Sequence, residues 1–113
     1  KSLKERYKNI RIKDKSSVFN TDWLYAIELG FLLDIAEAMA HSAIARKESR
    51  GSHQRLDGYE ERDDVNFLKH TLAFHNAQGA PTIDYSPVKI TKSQPAKRVY
   101  GADADKQEAA KHG

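Results

Sequence analysis

The 113 residues contain no cysteine. That excludes disulfides, thiolate metal ligands and a thiol nucleophile, and it fits a reducing compartment. No apolar run approaches the roughly 18 residues needed to cross a bilayer, and no signal-peptide pattern is read. The phosphate-cradling motifs G-x-G-x-x-G and G-x-x-x-x-G-K-[ST] are missing, so no nucleotide cradle is expected. A G-x-S-x-G elbow is missing as well. Ser49 and Ser52 beside His53 therefore do not read as a hydrolase, because sequence neighbours are seldom catalytic partners. Charge of one sign is also lacking. Nineteen bases face sixteen acids, and the basic residues form no segregated face of the kind that tracks a phosphate backbone. Lys4, Tyr7, Lys8 and Arg11 mix base and aromatic, but a solvated helix surface accounts for them.

What remains is a lean, polar chain. It is 39% hydrophobic and 31% charged, with a mean hydropathy of -0.75. By length it is one domain, and its apolar residues must be concentrated. Residues 1–12, KSLKERYKNIRI, place Leu3, Tyr7 and Ile10 at near-helical spacing. They read as the last turns of a helix, and a chain opening on Lys rather than Met is expected to be a piece of a longer one. After the polar connector KDKSS, Asn20 or Thr21 can cap a helix and Asp22 suits its positive end. From Asp22 to about Lys47 only Gly30 weakens the helix, which would run roughly 39 Å at about 1.5 Å per residue.

Leu24, Ile27, Phe31, Ile35, Ala38 and Met39 follow the three-four spacing of a buried stripe. Trp23, Leu29, Leu32, Leu33, Ala36, Ala43 and Ile44 widen it nearly all round. Gly30, Asp34, Glu37, His41 and Glu48 make one narrow polar face. A helix this apolar needs cover on most sides, which predicts either self-association or missing partners. Gly51 stands where a C-cap glycine is expected. Beyond the loop DGYEERDD, 67–74 and 82–90 read as strands of a hairpin. Gly79 is free for positive φ in the NAQGAP turn, and Pro87 marks an edge or bulge. No repeat is present.

The five histidines, His41, His53, His70, His75 and His112, include no i, i+4 ligand pair, so no metal site is expected. The stretch 45–64, ARKESRGSHQRLDGYEERDD, is different in kind. Its arginines gain value only where their planar forks meet carboxylates or carbonyls in a partly dry geometry. That makes Arg46, Glu48, Arg50, His53, Arg55, Arg62, Asp63 and Asp64 the candidate docking residues.

SSVFNTD (16–22), IELGFLLDIAEAMAHSAIARKESRGSHQRLD (27–57), ERDDVNFLKHT (61–71) and PAKRVYG (95–101) resemble the C-terminal end of the fumarate reductase flavoprotein subunit, a close relative of the succinate dehydrogenase flavoprotein. The resemblance runs from about Leu3 to Gly101. L-aspartate oxidase shares the Ser49-Arg50-Gly51-x-His53 core, but the leading and closing stretches favour the quinol:fumarate reductase type.

The resemblance implies a mainly α fold with a small β-hairpin. The α part would be a truncated up-and-down three-helix bundle, with the end of helix 2 and a long helix 3, over 1–50. A C-terminal loop and hairpin would fill 51–100, and a flexible tail 101–113. It implies FAD in the parent subunit, held covalently through a histidine of a domain outside this chain, and no catalytic, cofactor-binding or metal residue in the chain itself. The implied partners are the FAD domain and the iron–sulfur subunit, on the cytoplasmic side of the inner membrane, peripheral to it, with the fragment itself soluble and no nucleic acid bound. Two other readings stay open: an independent basic adaptor binding nucleic acid or protein, and direct approach of Arg46, Arg50 or His53 to substrate or flavin.

Overall fold

The computed structural model describes residues 1–96 and 99. The expected tail, 101–113, lies outside the described residues. The chain forms α1 (Ser2–Tyr7), α2 (Thr21–Ala45), β1 (Lys69–Phe74) and β2 (Thr82–Pro87). A long helix and a small antiparallel hairpin are thus both present.

Asn20 caps α2, its side-chain oxygen accepting the Trp23 N–H at 2.9 Å. The helix ends at Ala45, before the expected Lys47, because Arg46 turns extended at φ -82° and ψ 102°. Gly51 is therefore not its cap. Its φ of 61° serves instead a tight turn in which Arg50 and His53 exchange backbone hydrogen bonds of 2.8 and 3.0 Å. The first helix stops at Tyr7, short of the expected Ile12.

The strands are shorter than the sequence suggests. They pair from Lys69 opposite Pro87 to Phe74 opposite Thr82. Phe67 and Leu68 precede the ladder, and Pro87, which has no N–H to give, closes it. The turn between them is held by Asn76, whose side-chain oxygen accepts from the Gln78 N–H at 3.0 Å. Among the described residues only Gly51 and Gly58 are glycines with positive φ, so Gly79 does not use that freedom.

The faces of α2 show the expected want of cover. Its polar face is the seat of α1: Lys4 Nζ meets Asp34 Oδ1 at 2.7 Å and Glu37 Oε2 at 2.5 Å, and Tyr7 Oη donates to the Ala26 carbonyl at 2.8 Å. The apolar stripe is open, since one short helix cannot cover it. Leu24, Phe31, Ile35 and Met39 are 53–66% exposed, and no hydrophobic residue is buried among those described. The Cα radius of gyration is 21.1 Å, against about 13 Å for a compact chain of this length. A helix apolar on its outer sides does not stand in water alone. The isolated chain is therefore expected to self-associate. Sedimentation showing a compact monomer at high concentration would contradict this.

Gly30 lets α1 approach. A Cβ there would stand 2.7 Å from Tyr7 Oη and 2.9 Å from Cζ. Gly30→Ala gains about 1 kcal/mol of helix propensity but displaces the ring. We expect Gly30→Ala to be neutral or destabilising alone, and stabilising by about 1 kcal/mol once Tyr7→Ala has emptied the seat. A thermal-melt double-mutant cycle with no coupling would show that the contact carries no energy.

Candidate functional site

Beyond α2 the chain turns through an ionic elbow, and its centre is Glu48, the one buried residue among those described, with 0% exposure. Ending the helix at Ala45 throws Arg46 and Glu48 toward the hairpin, so the local extended backbone builds the site. Glu48 Oε1 accepts from Arg46 Nη1 and from Arg50 Nε at 2.9 Å. Oε2 accepts from Arg50 Nη2 at 3.0 Å and from the Asp63 N–H at 2.8 Å. A buried carboxylate must be met this fully to stay charged.

Each arginine carries the network outward. Arg46 Nη1 donates to the Phe67 carbonyl at 2.8 Å, Nη2 to the Lys69 carbonyl at 2.5 Å and Nε to Thr71 Oγ1 at 3.2 Å. It thereby joins the end of α2 to β1. Arg50 Nη2 continues to Asp64 Oδ1 at 2.6 Å, and Asp64 Oδ2 takes Arg62 Nη2 at 2.7 Å. Arg62 Nη1 also donates to the Ala96 carbonyl at 2.6 Å. Arg55 closes the helix end: Nη1 donates to the carbonyls of Ala43, Ile44 and Arg46 at 3.0–3.1 Å, while Asp57 grips its other edge. A cation there also suits the negative end of the helix.

The titration behaviour follows from these contacts. Burial pushes the Glu48 carboxyl up, but hydrogen bonds from Arg50, the Asp63 N–H and Arg46 outweigh it and hold the carboxyl below its ordinary value. The Arg50 hydrogen bond, with help from Arg62, lowers Asp64. Asp63 is lowered first by the Asn66 side chain; its oxygens also accept the backbone N–H groups of Val65 and Asn66.

All eight candidate docking residues lie in this elbow. Seven are linked through their own ion pairs or hydrogen bonds. His53 is the eighth: its Nε2 lies 3.4 Å from the Arg46 carbonyl, and its backbone completes the Arg50 turn. The sequence reading gave no role to Thr71, Phe67 or Tyr85. Phe67 and Tyr85 pack edge to face at 6.0 Å, with Lys69 Nζ 4.2 Å from the Tyr85 centroid and Arg46 5.6 Å from the Phe67 centroid. The run FLKHT carried the Phe and Thr positions, but only the fold shows which arginine they meet.

This donor set does not fit a flavin diphosphate. The forks of Arg46, Arg50, Arg55 and Arg62 already face carboxylates or carbonyls of this chain, and a diphosphate would have to strip Glu48 of its partners. Among the described residues no helix is long and apolar enough to cross a membrane, and no group of three or more His, Asp or Glu could hold a metal ion.

A long open-faced helix is thus joined to a hairpin by an ionic elbow whose arginines are all engaged within the chain. The chain belongs to the fumarate reductase flavoprotein C-terminal family, whose model matches residues 1–100. It is 75% identical over 108 residues to the fumarate reductase flavoprotein subunit of Haemophilus influenzae, covering 96% of this chain and 18% of that protein. Against the Escherichia coli K12 subunit the identity is 67% over 109 residues, with the same two coverages. The succinate dehydrogenase flavoprotein subunit of Rickettsia felis is 46% identical over 105 residues, covering 87% and 17%.

Among solved structures, an E. coli quinol fumarate reductase bearing a substitution superposes with a TM-score of 0.78 at 68% identity, over 88% of this chain and 17% of that one. A quinol–fumarate reductase with menaquinol molecules gives 0.75 at 67%, over 84% and 17%. The chain thus spans under a fifth of the length of the curated relatives it matches. These relationships do not favour the independent adaptor or the L-aspartate oxidase reading.

Proposed function

We propose that this chain is the docking end of a flavoprotein subunit that reduces fumarate to succinate, with electrons arriving from quinol through an iron–sulfur subunit in anaerobic respiration. FAD supplies the hydride chemistry when bound, and it sits on the rest of the parent polypeptide. The observation that carries the reading is the pairing of a saturated elbow with a helix whose apolar sides are open. The elbow fixes the angle between α2 and the hairpin, so that both meet the FAD domain and the iron–sulfur subunit as one rigid shape. In this reading α1 and α2 are the second and third helices of an up-and-down three-helix bundle over 1–50, and 51–100 is the elbow-and-hairpin part. The exposed edges of His53, Arg62 and Asp64 form the rim of the contact, and the complex lies on the cytoplasmic side of the inner membrane, peripheral to it.

Lysine cross-linking of the assembled complex tests this. Lys47, exposed beside the elbow, is expected to cross-link to the FAD domain or to the iron–sulfur subunit. Cross-links confined to this chain in a fully assembled complex would overturn the proposal.

A further inference from the structure

The loop between α1 and α2 is held shut by one side chain. Asn20 caps α2 through Oδ1, while its Nδ2 donates to the carbonyls of Asp14 at 3.2 Å and Ser16 at 3.0 Å. The Ser16 N–H donates to Asp14 Oδ1 at 2.8 Å, Lys15 Nζ to the Ile12 carbonyl at 2.6 Å, and the Thr21 N–H to the Phe19 carbonyl at 3.0 Å. A segment bonded to itself in this way is ordered before any partner arrives.

What the loop displays is apolar. Val18 is 75% exposed and Phe19 97%. Phe19 is also the one non-glycine residue with positive φ among those described, at 54°. Such a conformation is unfavourable for a bulky side chain, whose Cβ crowds the carbonyl, and a ring in water adds a second penalty. Glycine would meet the backbone need without either. At 97% exposure the ring finds no cover among the described residues, so its penalty is not offset there. Strain that the local structure imposes and does not relieve points to a functional contact.

We infer that Phe19, with Val18 beside it, is an anchor that enters an apolar socket on the part of the flavoprotein polypeptide that the relatives have and this chain does not span. The inference rests on the docking reading above. Three observations select that occupant. The clamp fixes the backbone that carries the ring, so the loop itself need not be ordered on binding, which suits a shaped pocket. A lipid surface needs no such clamp and is served by a broad basic amphipathic face. The chain spans only 18% of its H. influenzae relative, so most of that subunit's surface lies outside it. Trp23 and Leu24, in the first turn of α2 a few residues on, are exposed as well, 56% and 53%.

The test uses the full-length subunit assembled with its iron–sulfur partner and turns on a sign. If Phe19 is an anchor, Phe19→Gly lowers Tm although it relieves the backbone, protease cleaves within 14–20 at least tenfold faster, and Phe19→Trp restores both. If Phe19 is merely strained and exposed, Phe19→Gly raises Tm, and the inference fails. An unchanged Tm with lost binding to phosphatidylethanolamine–phosphatidylglycerol vesicles would make the loop a lipid contact. An unchanged Tm with a lost oligomer would make it a contact between copies. Either result overturns the inference. The Lys47 cross-link is read in the same preparation. Cross-links present with a raised Tm remove the anchor and leave the docking reading standing. Cross-links absent remove the docking reading, and the anchor with it.

Discussion

Replacing Glu48 by Ala in the full-length flavoprotein subunit is expected to lower its stability by about 3–5 kcal/mol, the loss typical of removing one partner from a buried ion pair. The carboxylate is fully buried and accepts four hydrogen bonds from Arg46, Arg50 and the Asp63 N–H. Without it two guanidinium groups face each other across a cavity, and the Asp63 N–H loses its acceptor. Glu48→Gln keeps the volume but turns one end of the group into a donor that meets donors. It is expected to recover only part of the loss in thermal or urea unfolding. A Glu48→Ala subunit as stable as wild type would mean that the elbow does not hold the fold.

The same residue sets an acid dependence whose sign is fixed. Because the folded-state pKa of Glu48 is depressed, its contribution is complete above the ordinary carboxylate range and is lost as pH falls through the depressed value. Asp63 and Asp64 act in the same direction. Stability should therefore decline on acidification, and Glu48→Gln should flatten that decline by removing the proton uptake of Glu48. An equally steep acid limb in Glu48→Gln would assign the effect to other carboxylates.

The elements of this fold were legible where local chemistry dictates them. Asn20 or Thr21 before a long proline-free run gives the cap and the helix, and NAQGAP between β-branched and aromatic runs gives the hairpin. The helix end was misplaced because Gly51 is the residue that usually marks one, whereas here Arg46 leaves the helix early so that its fork can reach β1. That choice is made by Phe67, Lys69 and Thr71, more than twenty residues on, and no local pattern contains it. The want of cover on α2 was legible, but the face on which α1 would sit was not. Periodicity shows which positions are apolar but not which face has cover within the chain, and α1 took the polar face through Lys4 and Tyr7. The eight residues expected to dock do come together in one elbow, because dense, mixed charge at a helix end needs defined partners. Their pairing with one another could not be read, since Arg50 had equally good candidates in Glu48, Glu60, Glu61 and Asp64.

That pairing changes what removing Arg50 should do. Its fork grips Glu48 through Nε and Nη2 and reaches Asp64, 14 residues on, so it closes the loop between Gly51 and Asp63. Arg50→Ala leaves Glu48 with Arg46 and one N–H only, and frees the Asp64 end, which should cost about 3 kcal/mol. Arg50→Lys should recover less than half of this, because an ammonium reaches one oxygen where the planar fork holds a carboxylate edge. If the elbow serves to present this segment to the rest of the subunit, the consequences are those of shape. Yield of the complex with the iron–sulfur subunit falls, flavin is retained poorly, and turnover per correctly assembled, flavin-loaded complex stays near wild type. Measuring flavin content, complex yield and turnover in one preparation separates these quantities. Full assembly and full flavin with turnover lowered a hundredfold, about 2.7 kcal/mol of barrier, would place Arg50 in the chemistry instead. The internal bonds argue against that outcome, because an arginine already holding Glu48 and Asp64 has little left to offer a substrate carboxylate.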